Sequence, residues 1–314
     1  YDDANVSALF EEMKQHRSII ALRLAQENPN WNGQMFTDSL TGAQFPVGYG
    51  PGQQDVVMAS MISAYGGVDP NKVVINAFPK IPLPNWNFQY TGLSKIEALK
   101  PIFRTVTIRH TYRCTYNVAG FNRNLNYEDN GGYASAYDMA NNFIPLLNIG
   151  AVQISEQFSP LIGFDVVMQN SLTANVQYRK TRNLGMSFAN NQLTDNKSDE
   201  IVIGLGYRIK NVKFNIRSMG GRGKKQDITS DLNFKLDFSI RKNLTVLRRL
   251  NEAVNQISAG QTVYSINFTA DYMVSKNLTI ALYHDQIINK PSLSTSIPNT
   301  SINSGISLRL TLAQ

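Results

Sequence analysis

The chain has 314 residues, 42% of them apolar, and a mean hydropathy of −0.24. Its apolar runs, Val73 to Ile75 and Ile201 to Leu205 among them, fall far short of the roughly 20 residues of a spanning helix, which excludes helical membrane insertion but not barrel strands. A formal charge of +7 spread through alternating segments, without clustered stacking aromatics, argues against nucleic acid, and the single cysteine, Cys114, excludes an internal disulfide framework.

Residues 1 to about 80 predict a helical element. Asp2 or Asp3 offers a cap for a helix with apolar positions at Val6, Phe10, Met13, Ile20 and Leu24, stopped before Pro29. An irregular loop from Trp31 to Gly52 follows. Asp55 then opens a second helix, Val56 to Tyr65, ended by Gly66 and Gly67. The chain starts within an amphipathic pattern, without an initiator methionine or a signal-peptide pattern. This gives the expectation of a piece of a longer protein.

From Trp86 onward the period becomes two. Val106, Ile108, His110, Tyr112, Cys114, Tyr116 and Val118 alternate with Thr105, Thr107, Arg109, Thr111, Arg113, Thr115 and Asn117. Successive side chains of a strand point to opposite faces, so this run has one apolar and one polar face. The split recurs in the rows beginning at Leu172, Ile201, Leu232, Tyr264 and Ile306. Several runs reach the ten residues that a tilted strand needs to cross a bilayer, beyond the usual sandwich strand. Aromatics gather near expected turns at Trp86, Phe88, Tyr90, Tyr207, Phe238 and Tyr272, like an interfacial girdle.

One spacing repeats: Asp165 to Thr173, Asp237 to Thr245 and Asp271 to Thr279 each carry an Asp, an apolar strand end, polar turn formers and a Leu-Thr restart. Gly206 to Lys213 is a looser fourth copy. These predict tight turns near Asn170, Asn211, Lys242 and Lys276, on one side of the sheet. Polar loops near 119–150, 190–198, 218–230, 251–260 and 289–301, with Gly220 to Lys225 among them, belong to the other side. About eleven strands result between residues 81 and 314. An odd count entered through a loop points to an N-terminal part of the barrel outside this stretch.

The fold expectation is therefore all-β: the C-terminal portion of a very large antiparallel transmembrane β-barrel, with a short α-helical loop or cap element at 1–80. Its polar rows predict lumen-facing side chains at Arg109, Arg113, Arg179, Arg208, Arg309, Asp237 and Asp271, with few other acids and a positive excess. Nothing predicts catalysis, a cofactor or a metal. His16, His110 and His284 sit on separate elements, and no Cys or His pair has metal spacing. Gly220 to Lys225 lacks the first glycine of a phosphate loop, with Ser218 in its place. Gly204 and Gly206 lie mid-strand and predict a close approach of another segment. The sequons at Asn243 and Asn277 follow from the Asn-Leu-Thr spacing of the repeat.

Ile81-Pro-Leu-Pro-Asn-Trp86, Tyr90-Thr-Gly-Leu-Ser-Lys95, His110-Thr-Tyr-Arg-Cys-Thr-Tyr-Asn117, Ile154-Ser-Glu-Gln-Phe-Ser-Pro-Leu-Ile-Gly163 and Asn190-Asn-Gln-Leu-Thr194 resemble the C-terminal region of the SprA/Sov family. The ending Ser307 to Gln314 and the helical opening, with Gln54 to Val57 and Ala64-Tyr65, are similar too, so the resemblance covers essentially the whole chain. It implies the outer-membrane translocon of the type IX secretion system in Bacteroidetes, which is tied to gliding motility and passes folded cargo proteins. It also implies a PorV-like shuttle protein at a lateral opening and a periplasmic plug protein. A barrel of roughly 36 strands, the upper extreme of known single-chain barrels, comes with the resemblance and not from these residues. The alternative is a nutrient receptor barrel of the TonB-dependent kind, and a weaker third reading is a secreted soluble β-sandwich.

Overall fold

In a computed structural model, residues 7–76, 78, 85–216, 226–252, 255–275, 277–293 and 296–311 are described. Helix α1 (Ala8–Glu27) is capped by Ser7, whose hydroxyl accepts from Phe10 N–H at 3.4 Å. The expected caps Asp2 and Asp3, and Val6, lie outside the described residues. The buried stripe of α1 contains the expected Phe10, Met13 and Ile20 and, unexpectedly, Arg17, whose guanidinium donates to Pro51 O at 2.8 Å and Lys14 O at 3.3 Å. Two backbone carbonyls thus replace the water that a buried guanidinium loses. The loop after α1 contains a hairpin, β1 (Met35–Thr37) with β2 (Gln44–Pro46). Helix α2 (Gln54–Gly66) begins one residue before Asp55. The Gln53 side chain caps it, accepting from Asp55 and Val56 N–H at 2.7 and 3.1 Å. Gly67, at φ 63°, ends it in the left-handed region.

The strands are β3 (Trp86–Tyr90), β4 (Phe103–Arg123), the small hairpin β5 (Asp129–Asn130) with β6 (Tyr133–Ala134), β7 (Leu147–Met168), β8 (Leu172–Ser187), β9 (Gln192–Ile216), β10 (Gln226–Arg249), β11 (Gln256–Ser275), β12 (Leu278–Pro291) and β13 (Asn299–Leu310). Nine of them form one antiparallel sheet in the order β13-β12-β11-β10-β9-β8-β7-β4-β3. The sheet is not closed: β3 and β13 are its two edges among the described residues.

Among the described residues eleven strands lie between Trp86 and Leu310, as many as expected, but only nine join the large sheet and their bounds differ, because several expected turns are absorbed into ladders. Residues 237–245 run straight through β10, so no turn forms at Lys242. There Arg241, Lys242 and Asn243 pair with Glu200, Asp199 and Ser198 on one side and with Val263, Thr262 and Gln261 on the other. A hairpin would replace both ladders with one or two local hydrogen bonds. Asn211 is also not a turn. It is a bulge at φ 56° opposite Asp231, whose carboxylate accepts its N–H at 3.1 Å. The expected loop at 190–198 shrinks to 188–191, and β11 starts within the expected loop 251–260. Two copies of the repeat are real turns. Asn170 Oδ1 accepts Leu172 N–H at 3.1 Å, and Ser275 Oγ accepts from Asn277 and Leu278 N–H at 3.2 and 3.1 Å. Lys276 itself lies outside the described residues.

Antiparallel order assigns every connection to an end. Turn 169–171, connection 217–225 and turn 276–277 share one end, called here the turn end. Loops 124–146, 188–191, 250–255 and 292–298 share the other, the helix end. Gly220 to Lys225, expected at the other end, lie outside the described residues, and the strand ends that flank the gap, Ile216 and Gln226, pair at the turn end.

At the helix end α1 and α2 dock on the sheet. Phe10, Met13, Val57, Met58 and Met61 share a buried cluster with Cys114, Val152, Ile154, Leu184, Met186 and Leu193. Gln54 accepts Ile149 N–H at 2.8 Å and donates to Leu147 O at 2.9 Å, continuing the β7 ladder where β8 stops. The 124–146 loop is fastened to the same element at Gly48. This residue has φ 102° and lies so close under the Phe143 ring that a Cβ has no room.

Candidate functional site

The register sorts the sheet into two faces. The rows beginning at Val106, Leu172, Ile201, Tyr264 and Ile306 all lie on one face, since laterally paired residues point the same way. That face is apolar over its half toward the turn end, and large side chains stand in the open: Leu205 is 42% exposed, Leu236 37%, Leu282 48% and Ile306 70%. An exposed apolar patch spanning this many strands is unusual for a water-facing surface. Toward the helix end the same face carries α1 and α2.

At its β3 side the apolar face carries an aromatic cluster. The Trp86 ring lies 4.4 Å from that of Tyr112 and 6.2 Å from His110, and Phe158 packs on both. His110 Nδ1 is bonded to Leu161 O at 2.6 Å, His16 to Ser63 at 2.8 Å and His284 to Ser304 at 2.6 Å, so the three histidines stay on separate elements. Cys114 is buried on the apolar face. No group of three potential metal ligands converges among the described residues.

Arg109, Arg113, Arg179, Arg208, Arg309, Asp237 and Asp271 all fall on the opposite, polar face. Three open concavities, of about 730, 610 and 230 Å³, open on this face. The expectation of few acids beyond Asp237 and Asp271 is corrected. Asp165 meets Arg109 at 2.5 Å, and Glu200 bridges Arg179 and Arg241 at 3.3 and 2.9 Å. Asp237 pairs with Lys235 at 2.7 Å, and Asp231 pairs with Arg208. Arg113 and Arg309 make no ion pair among the described residues. The positive excess of the sequence is therefore mostly compensated within the wall.

The pattern has a geometric basis that the linear sequence hides. Thr107, Asp165, Asn175, Gly204, Asp237, Asn267, Asp285 and Asn303 form one lateral row across eight strands. Acids and amides alternate along it: Asn175 donates to Asp165, and the Asn267 amide, turned to donate, reaches Asp285 at 3.2 Å. A Cβ on Gly204 would sit 2.8 Å from Asp237 Oδ1, and one on Gly206 would collide with Thr173 Oγ1. The close approach expected at these glycines comes from neighbouring side chains and not from another segment. Glu200 could have been found in the sequence, because it shares the alternate positions of Gly204, Gly206 and Arg208. It was hidden by reading its neighbourhood as a loop end.

Under α1 and α2 lies a second charged group. Asp195, fully buried, accepts from Arg182 at 3.1 and 3.0 Å and stands 3.4 Å from Lys197 and 3.6 Å from buried Arg248. Arg182 lies 4.9 Å over the Tyr65 ring and Arg248 5.8 Å from that of Phe10. Burial, opposed in part by Arg182, pushes the Tyr65 hydroxyl up to about 12, so the ring faces these cations in its neutral form.

No protein-family model matches the chain, and no curated protein matches it significantly. No described helix is long and apolar enough to cross a membrane.

Proposed function

We propose that the chain is the C-terminal wall of a protein-conducting barrel in the outer membrane of a Gram-negative bacterium, of the type IX secretion kind linked to gliding motility. One observation carries the barrel reading: a long antiparallel sheet with a polar face and an exposed apolar band across several strands of the other face. From Ile201 to Ile209 that band spans about 27 Å along β9, or about 20 Å along the membrane normal at a 40° tilt, near the roughly 25 Å apolar belt of such barrels. The quoted SprA/Sov-like segments support the translocon over the nutrient receptor. Folded cargo proteins, a PorV-like shuttle and a periplasmic plug are the partners of this reading. No catalytic step belongs to it, and no cofactor.

The wall suits passage of folded proteins. Its polar face offers hydroxyls, amides and mostly paired charges, so a passing surface meets no apolar patch to stick to, and unpaired cations are confined to Arg113, Arg309 and the group near the turn end among the described residues.

The test uses the complete protein with Cys114→Ser and a new cysteine at Asn267 or at Phe268, adjacent on β11 but on opposite faces. Coupling a large maleimide-polyethylene glycol to Asn267→Cys in cells should stop export of a reporter cargo, and coupling to Phe268→Cys should leave it running. Unchanged export with Asn267→Cys fully modified refutes a conducting lumen, and loss of uptake of a single nutrient instead favours the receptor.

The reading also orients the wall, with the turn end periplasmic and the helical element extracellular. Cysteines at Ala189 and Gly223 should therefore react oppositely with a membrane-impermeant maleimide on intact cells: labelling at Ala189, none at Gly223. The reverse pattern inverts the topology.

A further inference from the structure

At the turn end the sheet is stepped. Strand β8 begins at Leu172, paired with Tyr207, whereas β9 continues to Ile216 and β10 begins only at Gln226. Among the described residues, 208–216 of β9 thus have no strand on the β8 side, and the ribbon they form with β10 projects about 30 Å beyond the neighbouring turn at 3.3 Å per residue. Such a two-stranded ribbon is marginally stable by itself. The concavity of about 730 Å³ on the polar face reaches this step, where Gln169, Ser171, Arg208 and Lys210 line it together with Arg104 and Lys235. Arg208 and Lys235 are paired with Asp231 and Asp237, whereas Arg104, Lys210 and nearby Lys213 make no ion pair among the described residues.

We propose that this notch docks an extended, acidic peptide segment of a soluble protein approaching from the turn end. Three features select that occupant. The free flank of β9 offers main-chain donors and acceptors that only another extended chain matches in register. Arg104, Lys210 and Lys213, without an ion pair among the described residues, favour negative charge, and Asp231 answers Lys210 only at longer range. Lys210 and Lys213 lie on the polar face with Arg208, away from the apolar band, which removes lipid headgroups from consideration. The lysines beside Asn211 also repel pairing with a copy of the same edge, so the site favours acidic strands over its own kind. This inference goes beyond the transport reading and needs no closed barrel.

The complete protein in detergent micelles is titrated into a fluorescein-labelled peptide alternating Glu and Val, with a Gln-Val peptide as control, and anisotropy is read. The parent should bind the acidic peptide, less tightly at high salt, and the control at least tenfold more weakly, roughly the effect of losing complementary charge. Lys210→Glu with Lys213→Glu should weaken acidic-peptide binding by about tenfold. Lys242→Glu with Lys290→Glu, on the apolar face toward the helix end, should change it by less than about twofold. All four lysines are exposed, and heat-modifiable migration confirms that both proteins are folded. Equal loss from the two double variants reduces the effect to bulk charge and overturns the proposal. So does equal affinity for the Gln-Val peptide, or no binding by the parent.

Discussion

A Leu205→Arg protein is expected to lose about 2–4 kcal/mol of folding stability in a lipid bilayer, the cost of a cation at mid-depth on a lipid-facing strand. Leu205 is the middle of five alternating apolar positions from Ile201 to Ile209 on β9, flanked laterally by Ala174 and Leu236, and it is 42% exposed. Thr107→Lys, on the polar face in register with Asp165, should stay within about 1 kcal/mol of the parent, since the new cation meets water and an acid. Urea-dependent refolding of the complete barrel into vesicles measures both. A costly Thr107→Lys beside a neutral Leu205→Arg would mean that the faces are reversed, and with them the lumen.

The second large effect is expected at Asp195. Replacing it with Ala strips the acid from between Arg182 and Arg248, both largely buried, and should cost about 3–5 kcal/mol. The damage should be local. Arg182 and Arg248 lie against Tyr65 and Phe10, so hydrogen exchange should rise in α1 and α2 while the apolar half of the sheet stays protected. Asp195→Leu combined with Arg182→Leu and Arg248→Met removes the charges together and should recover much of the loss. If Asp195→Ala leaves the exchange of both helices unchanged, the cluster does not hold the helical element to the sheet.

Much of this architecture was legible in the residue order. Alternation in Val106 to Val118 and in the rows from Leu172, Ile201, Tyr264 and Ile306 assigned faces correctly because side-chain period two is a local property of any strand. The helical stripe of Phe10, Met13 and Ile20 was legible for the same reason at a period of 3.6. All seven proposed wall residues share one face because each was placed by parity alone.

What parity does not contain is which segments lie side by side, and the errors follow from that. Arg241-Lys242-Asn243 has the local chemistry of a turn, yet two flanking strands hold it extended, since ladder partners on both sides outweigh a local hydrogen bond. Arg109 and Asp165 are 2.5 Å apart although 56 positions separate 109 from 165, and Arg179, Glu200 and Arg241 meet from three strands. In sequence these are scattered charges with a net excess. Only lateral register, set by long-range pairing and its bulges, turns them into a compensated wall, because Coulomb attraction depends on distance in space and residue order fixes distance only along one strand.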